Sequence, residues 1–264
     1  MKKFIIILTA ISLSMFITAC GSEDIAGDTN SDSQSNEVDS NTSEDNNTNQ
    51  NEQEEAESES EAELEIVQTT GGTWKDSIDS VWVHSSAVFE NTGDTPVKIG
   101  ETQMNYKDTD GGILGTSSMI YSVPSVVAPG EKAFISETTI LDGVNDASVY
   151  GETTYNFNYD ITDEKSNLLE VSGVKGTAGA DEYSTPYKVT GVVKNTTEEM
   201  QDDIRIAAAL FAEDGTLQGV LKGSVDVGVN PGSEAGFELT YPEIPREDAS
   251  NIETVEVKAY GWKW

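Results

Sequence analysis

The chain repeats itself, and that repetition constrains its fold more tightly than any other feature of the sequence. Ala87-Val88-Phe89-Glu90-Asn91-Thr92 corresponds to Gly191-Val192-Val193-Lys194-Asn195-Thr196, and Asp110-Gly111 to Asp214-Gly215, both at an offset of 104 residues. Ala128-Pro129-Gly130-Glu131 and Asn230-Pro231-Gly232-Ser233, then Asp146-Ala147-Ser148 and Asp248-Ala249-Ser250, follow at an offset of 102. Leu64-Glu65-Ile66-Val67 and Leu169-Glu170-Val171 open the two copies. Five anchors in one order imply two modules of about 100 residues each, an ordinary single-domain size.

Within each copy the apolar residues alternate instead of recurring at a helical period. Tyr187, Val189, Gly191 and Val193 share one face, and Lys188, Thr190, Val192 and Lys194 the other. Further runs span 204–211, 217–229, 235–241 and 254–262, separated by Asn-Thr-Thr, Glu-Asp-Gly, Asn-Pro-Gly and Pro-Arg-Glu-Asp turn signals. Short alternating strands punctuated by turns predict an all-β chain built of two tandem immunoglobulin-like β-sandwiches, at 64–163 and 168–264. Only 246–251, matched by 141–147, suggests a single helical turn, and the connector at 163–167 could be rigid or loose.

Each copy resembles the FxLYD type of bacterial immunoglobulin-like domain. The resemblance rests on Gly191-Val192-Val193-Lys194-Asn195-Thr196, on Ala209-Leu210-Phe211-Ala212-Glu213-Asp214-Gly215, and on Pro231-Gly232 followed by Phe237. In the first copy Met104-Asn105-Tyr106-Lys107-Asp108 stands closest to the naming motif, with Met for Phe, while the second copy has Leu210-Phe211-Ala212 in that place. The resemblance implies a fold and no particular chemistry, so function has to come from a site.

Ahead of the modules, Met1-Lys2-Lys3 precedes an apolar run from Phe4 to Ile17. The run is shorter than the about 20 residues a spanning helix needs and has the length of a signal-peptide core. Ile17-Thr18-Ala19-Cys20 then resembles the lipobox of bacterial lipoproteins, which implies a signal peptide over 1–19, a diacylglyceryl group on the Cys20 sulfur, and an extracytoplasmic, membrane-anchored protein. Two acyl chains make a stable anchor where one does not. Cys20 is the chain's one cysteine, so the modules have no disulfide and no cysteine chemistry. Residues 20–63 hold this cysteine and an Asp-, Glu-, Ser- and Asn-rich tract without Lys or Arg, whose low hydrophobicity and high charge predict a disordered spacer.

Few residues in the modules suggest a site. His84 is the only histidine, and the register that turns Val83, Ala87 and Phe89 inward points it to solvent. Asp108-Thr109-Asp110-Gly111-Gly112 could open a calcium loop through Asp108 and Asp110, but the distal Glu of such a loop is absent and Asp-Gly equally suits a hairpin turn. Trp74 and Trp82 fit the core or a sheet face. Gly71-Gly72 and Gly176 to Gly179 are assigned to loops. In the last strand Val255, Val257 and Ala259 face the core, leaving Tyr260, Trp262 and Trp264 on an outward row. That row either binds a ligand or partner by aromatic contact, or packs against the neighbouring module.

A formal charge of −33 argues against nucleic acid, whose phosphates demand Lys and Arg. No Walker-type glycine loop, nucleophile elbow or cofactor motif occurs. The sequence therefore predicts a non-enzymatic lipoprotein of the cell envelope that binds or scaffolds through its modules, its partners being the bilayer and an envelope protein or wall glycan. An assembly factor that pairs with an exported protein by strand addition is the alternative. A carboxylate-based glycan hydrolase would need two carboxyl groups converging in a pocket.

Overall fold

Strong alternation and turn-forming Asn, Asp, Pro and Gly leave the chain little choice but strands. A computed structural model describes residues 62–262, which are almost entirely antiparallel β-structure. The expected signal peptide, Cys20, the acidic spacer and Trp264 lie outside the described residues. The first module contains β1 (Leu64–Lys75), β2 (Val81–Asn91), β3 (Val97–Asp108), β4 (Ile113–Ile120), β5 (Val126–Val127), β6 (Lys132–Ile140) and β7 (Tyr150–Ile161). The second contains β8 (Glu170–Ala178), β9 (Tyr187–Lys194), β10 (Ile204–Phe211), β11 (Leu217–Val225), β12 (Glu234–Leu239) and β13 (Thr254–Gly261). A single 3-10 turn (Ala147–Val149) precedes β7, and a single helical turn α1 (Arg246–Ala249) precedes β13.

The two modules share one topology. Sheet β1-β2-β6 corresponds to β8-β9-β12, and β4-β3-β7 to β11-β10-β13. The repeated anchors have physical reasons. Asn91 and Asn195 are fully buried; each side-chain amide donates to two carbonyls, those of Thr95 and Val127 in one module and of Glu199 and Val229 in the other. Both Asn backbone carbonyls accept the N–H of the Pro-Gly glycine, Gly130 or Gly232, at 2.8 Å, and both glycines have φ of +74°, the left-handed region that favours glycine.

Each module buries its own core between its two sheets. Val83, Phe89, Met104, Tyr106 and Ile135 centre the first, and Val189, Val193, Ile206, Leu210 and Leu221 the second. A third cluster belongs to neither core. It joins Val88, Val123 and Phe134 of the first module to Ala207, Ala209, Leu217, Val220 and Tyr260 of the second. The outer face of β1-β2-β6 thus packs on the outer face of β11-β10-β13, giving four sheets in layers, and both modules belong to one compact unit.

Register defines this seam row by row. On the first module's side the rows are Gln68-Val88-Phe134, Thr70-Ser86-Ser136, Gly72-His84-Thr138 and Trp74-Trp82-Ile140. On the second they are Ser224-Arg205-Tyr260, Lys222-Ala207-Lys258, Val220-Ala209-Glu256 and Leu217-Phe211-Thr254. Alanine at the two middle seam positions of β10, Ala207 and Ala209, lets the first module approach the sheet closely. Gly71 and Gly72 lie in β1, not in a loop, and Gly176 lies in β8. A Cβ on Gly72 would stand 2.9 Å from Pro245 Cγ, so glycine there admits the segment leading into α1. The connector is tied as well, with Asn167 Nδ2 donating to Gln201 Oε1 and to the Gly261 carbonyl.

Enlarging the seam should therefore cost as much as enlarging a core. Ala209→Leu is expected to lower unfolding stability by about 1–3 kcal/mol, measured by urea denaturation. An exposed strand would tolerate the same change with almost no loss.

Candidate functional site

His84 does not point to solvent. It occupies the seam row predicted to be outward, but the second module covers that row and leaves the imidazole 0% exposed. Its two nitrogens are engaged, Nδ1 with Thr138 Oγ1 at 2.9 Å and Nε2 with Ser86 Oγ at 2.7 Å. Thr138 Oγ1 donates its one proton to the Glu243 carbonyl at 2.9 Å, so it accepts from His84 Nδ1–H. Nε2 is then an acceptor for Ser86, whose Oγ accepts the Val220 N–H at 3.0 Å. The relay runs from the second module through three side chains of the first and back again, and it is complete only for the neutral Nδ1–H tautomer. Burial, with the Lys222 charge adding to it and the Glu243 carbonyl opposing, pushes the imidazole down to about 3.

Tyr260 and Trp262, the described members of the predicted aromatic row, form no open binding face. The predicted register of β13 holds, since Val255, Val257 and Ala259 pack on the second core. Tyr260 lies on the opposite side as expected, but it is 4% exposed there and its hydroxyl donates to the Ser122 carbonyl of the first module at 3.4 Å. Trp262 is half-buried, edge-on to Tyr260 with ring centroids 6.0 Å apart, and Arg205 sits 5.6 Å over its ring. These aromatics are seam packing. Lys222 is buried with them, its ammonium 4.2 Å from the centroid of the Tyr121 ring. Burial pushes Lys222 down to about 8, against the pull of Glu137 and with the push of Arg205.

Asp108 serves a turn. Its Oδ1 accepts from the backbone N–H groups of Asp110 and Gly112, at 2.9 and 2.7 Å, and Asp110 is exposed. Among the described residues no three His, Cys, Asp or Glu side chains are grouped as a metal site.

The feature that most resembles a binding site is one that the sequence did not single out as a unit. Beyond the His84 row the seam face runs past the end of sheet β11-β10-β13, leaving Trp74 and Trp82 under the segment that carries Ile244 and Pro245. There a cleft of about 490 Å³ opens, with Trp74, Asp76, Tyr183, Glu243, Ile244 and Arg246 among its lining residues. Trp74 and Trp82 are stacked, centroids 6.3 Å apart and planes within 11°. Asp76 fixes the β1–β2 turn: Oδ1 accepts from Ile78 and Ser80 N–H, and Oδ2 from the Trp82 indole at 2.9 Å. The Trp82 bond, with the backbone bonds behind it, holds Asp76 below the usual carboxylate range. Across the cleft Arg246 donates to the carbonyls of Glu182 and Ser184, shaping the β8–β9 loop that carries Tyr183, 90% exposed. The two loops occupy equivalent places in the two modules. Chemically the cleft offers aromatic surface ringed by hydrogen-bonding groups of both charges.

Trp74 and Trp82 were expected in the core or on a sheet face, and they lie on a sheet face. Asp76, Tyr183 and Arg246 were missed, although a lone aromatic in the polar loop Ala180-Asp181-Glu182-Tyr183-Ser184 was a visible signal.

No protein-family model matches the chain, and no curated protein matches it. Among solved structures it is similar over 75% of its length to a calcium-binding mutant of Bacteroides uniformis β-glucuronidase 2, at 12% identity and a TM-score of 0.20, covering 30% of that chain. A Bacteroides uniformis β-glucuronidase is matched over 70% at 10% identity and a TM-score of 0.18, covering 28% of that chain. The chain spans less than a third of either protein, and a likeness at that level carries no functional argument.

The turn at Asp76 governs the shape of the cleft floor. Asp76→Ala should shift the Trp82 indole N–H signal in nuclear magnetic resonance and speed its exchange with solvent. An unchanged signal would mean that Asp76 does not hold this tryptophan.

Proposed function

We propose that this chain is a lipid-anchored extracytoplasmic protein that recognises a wall saccharide, without catalysing its conversion, in the cleft between its two modules. The anchor reading rests on the Cys20 motif, and the resemblance to FxLYD-type domains fits a display module. The carrying observation is the cleft itself: Trp74 and Tyr183 both line it among polar groups, Trp74 stacked on the Trp82 ring that Asp76 holds and Tyr183 in the loop that Arg246 shapes. Sugar rings present C–H faces to aromatic surface and hydroxyls to carboxylate, guanidinium and backbone groups. The mixed charge of Lys75, Asp76, Glu182 and Arg246 suits a ligand that is polar without large net charge. Asp76 is deprotonated with both oxygens engaged, which makes it a poor proton donor for glycoside cleavage.

Strand addition remains the second reading, favoured by one observation. Among the described residues β7 is a twelve-residue strand paired along one side only, with β3.

Retention on purified cell-wall glycan by the full chain and by a Trp74→Ala/Tyr183→Ala variant tests the proposal. The wild type should be retained and the variant, still folded by circular dichroism, should lose at least about tenfold in affinity, the scale of one lost aromatic contact. Equal retention of both proteins, or retention of neither, contradicts a saccharide site in this cleft.

A further inference from the structure

The cleft exists only while the seam is closed, and a histidine buried in the seam can respond to acid without any ligand. His84 is the single histidine of the chain and the middle member of a relay whose ends lie in the other module. We propose that the His84 relay is an acid-sensitive latch between the modules: it closes only around a neutral imidazole, and a proton on His84 opens the seam while each module keeps its own core.

The geometry gives the reason. A protonated imidazole donates from both nitrogens. Thr138 Oγ1 can still accept from Nδ1, but Nε2–H would meet the Ser86 O–H that now donates to it, and Ser86 could accept there beside the Val220 N–H only by turning its own proton away. The Ser86 proton would lose its acceptor, and the space over Gly219 beside Nε2 is crowded by Ile244, whose Cγ2 would stand 2.7 Å from a Cβ placed there. Both imidazole nitrogens meet hydroxyls, so a new positive charge would be buried with no carboxylate bonded to it.

The charged groups around it do not alter that outcome. From β11 the facing charge is Lys222, a cation that repels a second one. From β6, Glu137 accepts a hydrogen bond from Tyr241 at the rim, and β10 contributes Arg205, which is paired with Asp203 at 2.7 Å. The segment after β12 contributes the Glu243 carbonyl, while that residue's side chain is exposed. From α1, Asp248 lies beside Gly72, the row partner of His84, and burial pushes it up to about 6. Asp248 therefore takes up its proton more readily in the closed state and opposes opening in acid. It is present in any His84 variant, so comparison with such a variant subtracts it.

The sign follows from where each state binds the proton. In the open state His84 titrates near its ordinary 6.5, and in the closed state only at about 3. Closure is fully favoured above about 6.5 and weakens as pH falls, roughly tenfold per pH unit for one proton, until the closed-state value is reached. The titratable side chains buried in the two sandwich cores are the tyrosines Tyr106 and Tyr187, which burial pushes upward, Tyr106 to about 12, so they stay neutral in acid and the cores are not weakened by the same proton.

Amide hydrogen exchange on the full chain, from pH 7 to 4, reads the latch at the Val220 N–H, with Ile135 and Ile206 as reporters of the two cores. Corrected for intrinsic chemistry, Val220 protection should fall about tenfold per pH unit below 6.5 in the wild type. It should stay level in His84→Gln, whose neutral amide supplies a donor and an acceptor without titrating, and Ile135 and Ile206 should remain protected in both. Constant Val220 protection in the wild type, an equal fall in the variant, or loss at Ile135 and Ile206 in step with Val220 would each overturn the proposal. If His84→Gln does not fold, the wild-type comparison of Val220 with the two core amides decides alone.

Discussion

The packing of one sheet's outer face on another carries the whole arrangement. Strand β2 is buried on both sides because its inner face completes the first core and its outer face meets the second module. Burying a large apolar side chain such as Val88, Phe134 or Leu217 is worth about 1.5–3 kcal/mol, whereas a hydrogen bond contributes about 0.5–1.5 net. Apolar contact is therefore what drives the modules together. The relay through Ser86, His84 and Thr138 cannot supply most of that energy, but it sets the register, because a slipped seam would strand several buried polar groups.

From this contact the rest follows. Sheet β11-β10-β13 is shorter than the β1–β2 hairpin that it faces, so the Trp74-Trp82 row projects past it. The overhang, bridged by Pro245 against Gly72, becomes the floor of the cleft. Had the modules been strung loosely on a linker, neither the cleft nor a buried histidine would exist. The same contact consumes the aromatic row of the second module, Tyr260 and Trp262, together with Arg205 and Lys222.

Most of the fold was legible in the sequence because local rules decide it. Alternation placed β9, β10 and β13 to within a residue, as with Ile204–Phe211, while the run at 217–229 overshot β11 and part of β8 was assigned to a loop; the recurring Asn-Thr and Pro-Gly anchors mark a bonding pattern present in both modules. The assignment of inner and outer faces was also right for Val83, Phe89, Val255 and Val257. What could not be read was the fate of an outer face. A face bearing His84, Ser86, Thr138 and Gly72 looks like one made for water, and a single chain's pattern does not say that a second module lies against it. The polar residues were deceptive because each finds its partner at long range, Ser86 with Val220 and Thr138 with Glu243. Tyr260 shows the converse: an outward aromatic allowed either a ligand or packing on the neighbouring module, and it packs on that module. Asp76, Tyr183 and Arg246 escaped notice because only the seam brings their loops to one cleft.

The claim that matters most is that the seam makes two sandwiches into one cooperative body. Differential scanning calorimetry of the full chain at neutral pH tests it directly. A single transition, with a calorimetric enthalpy equal to the van 't Hoff enthalpy, is the result the packing predicts. Two separable transitions, or a van 't Hoff enthalpy of about half the calorimetric value or less for similar modules, would show that the modules unfold apart and that the seam does not couple them.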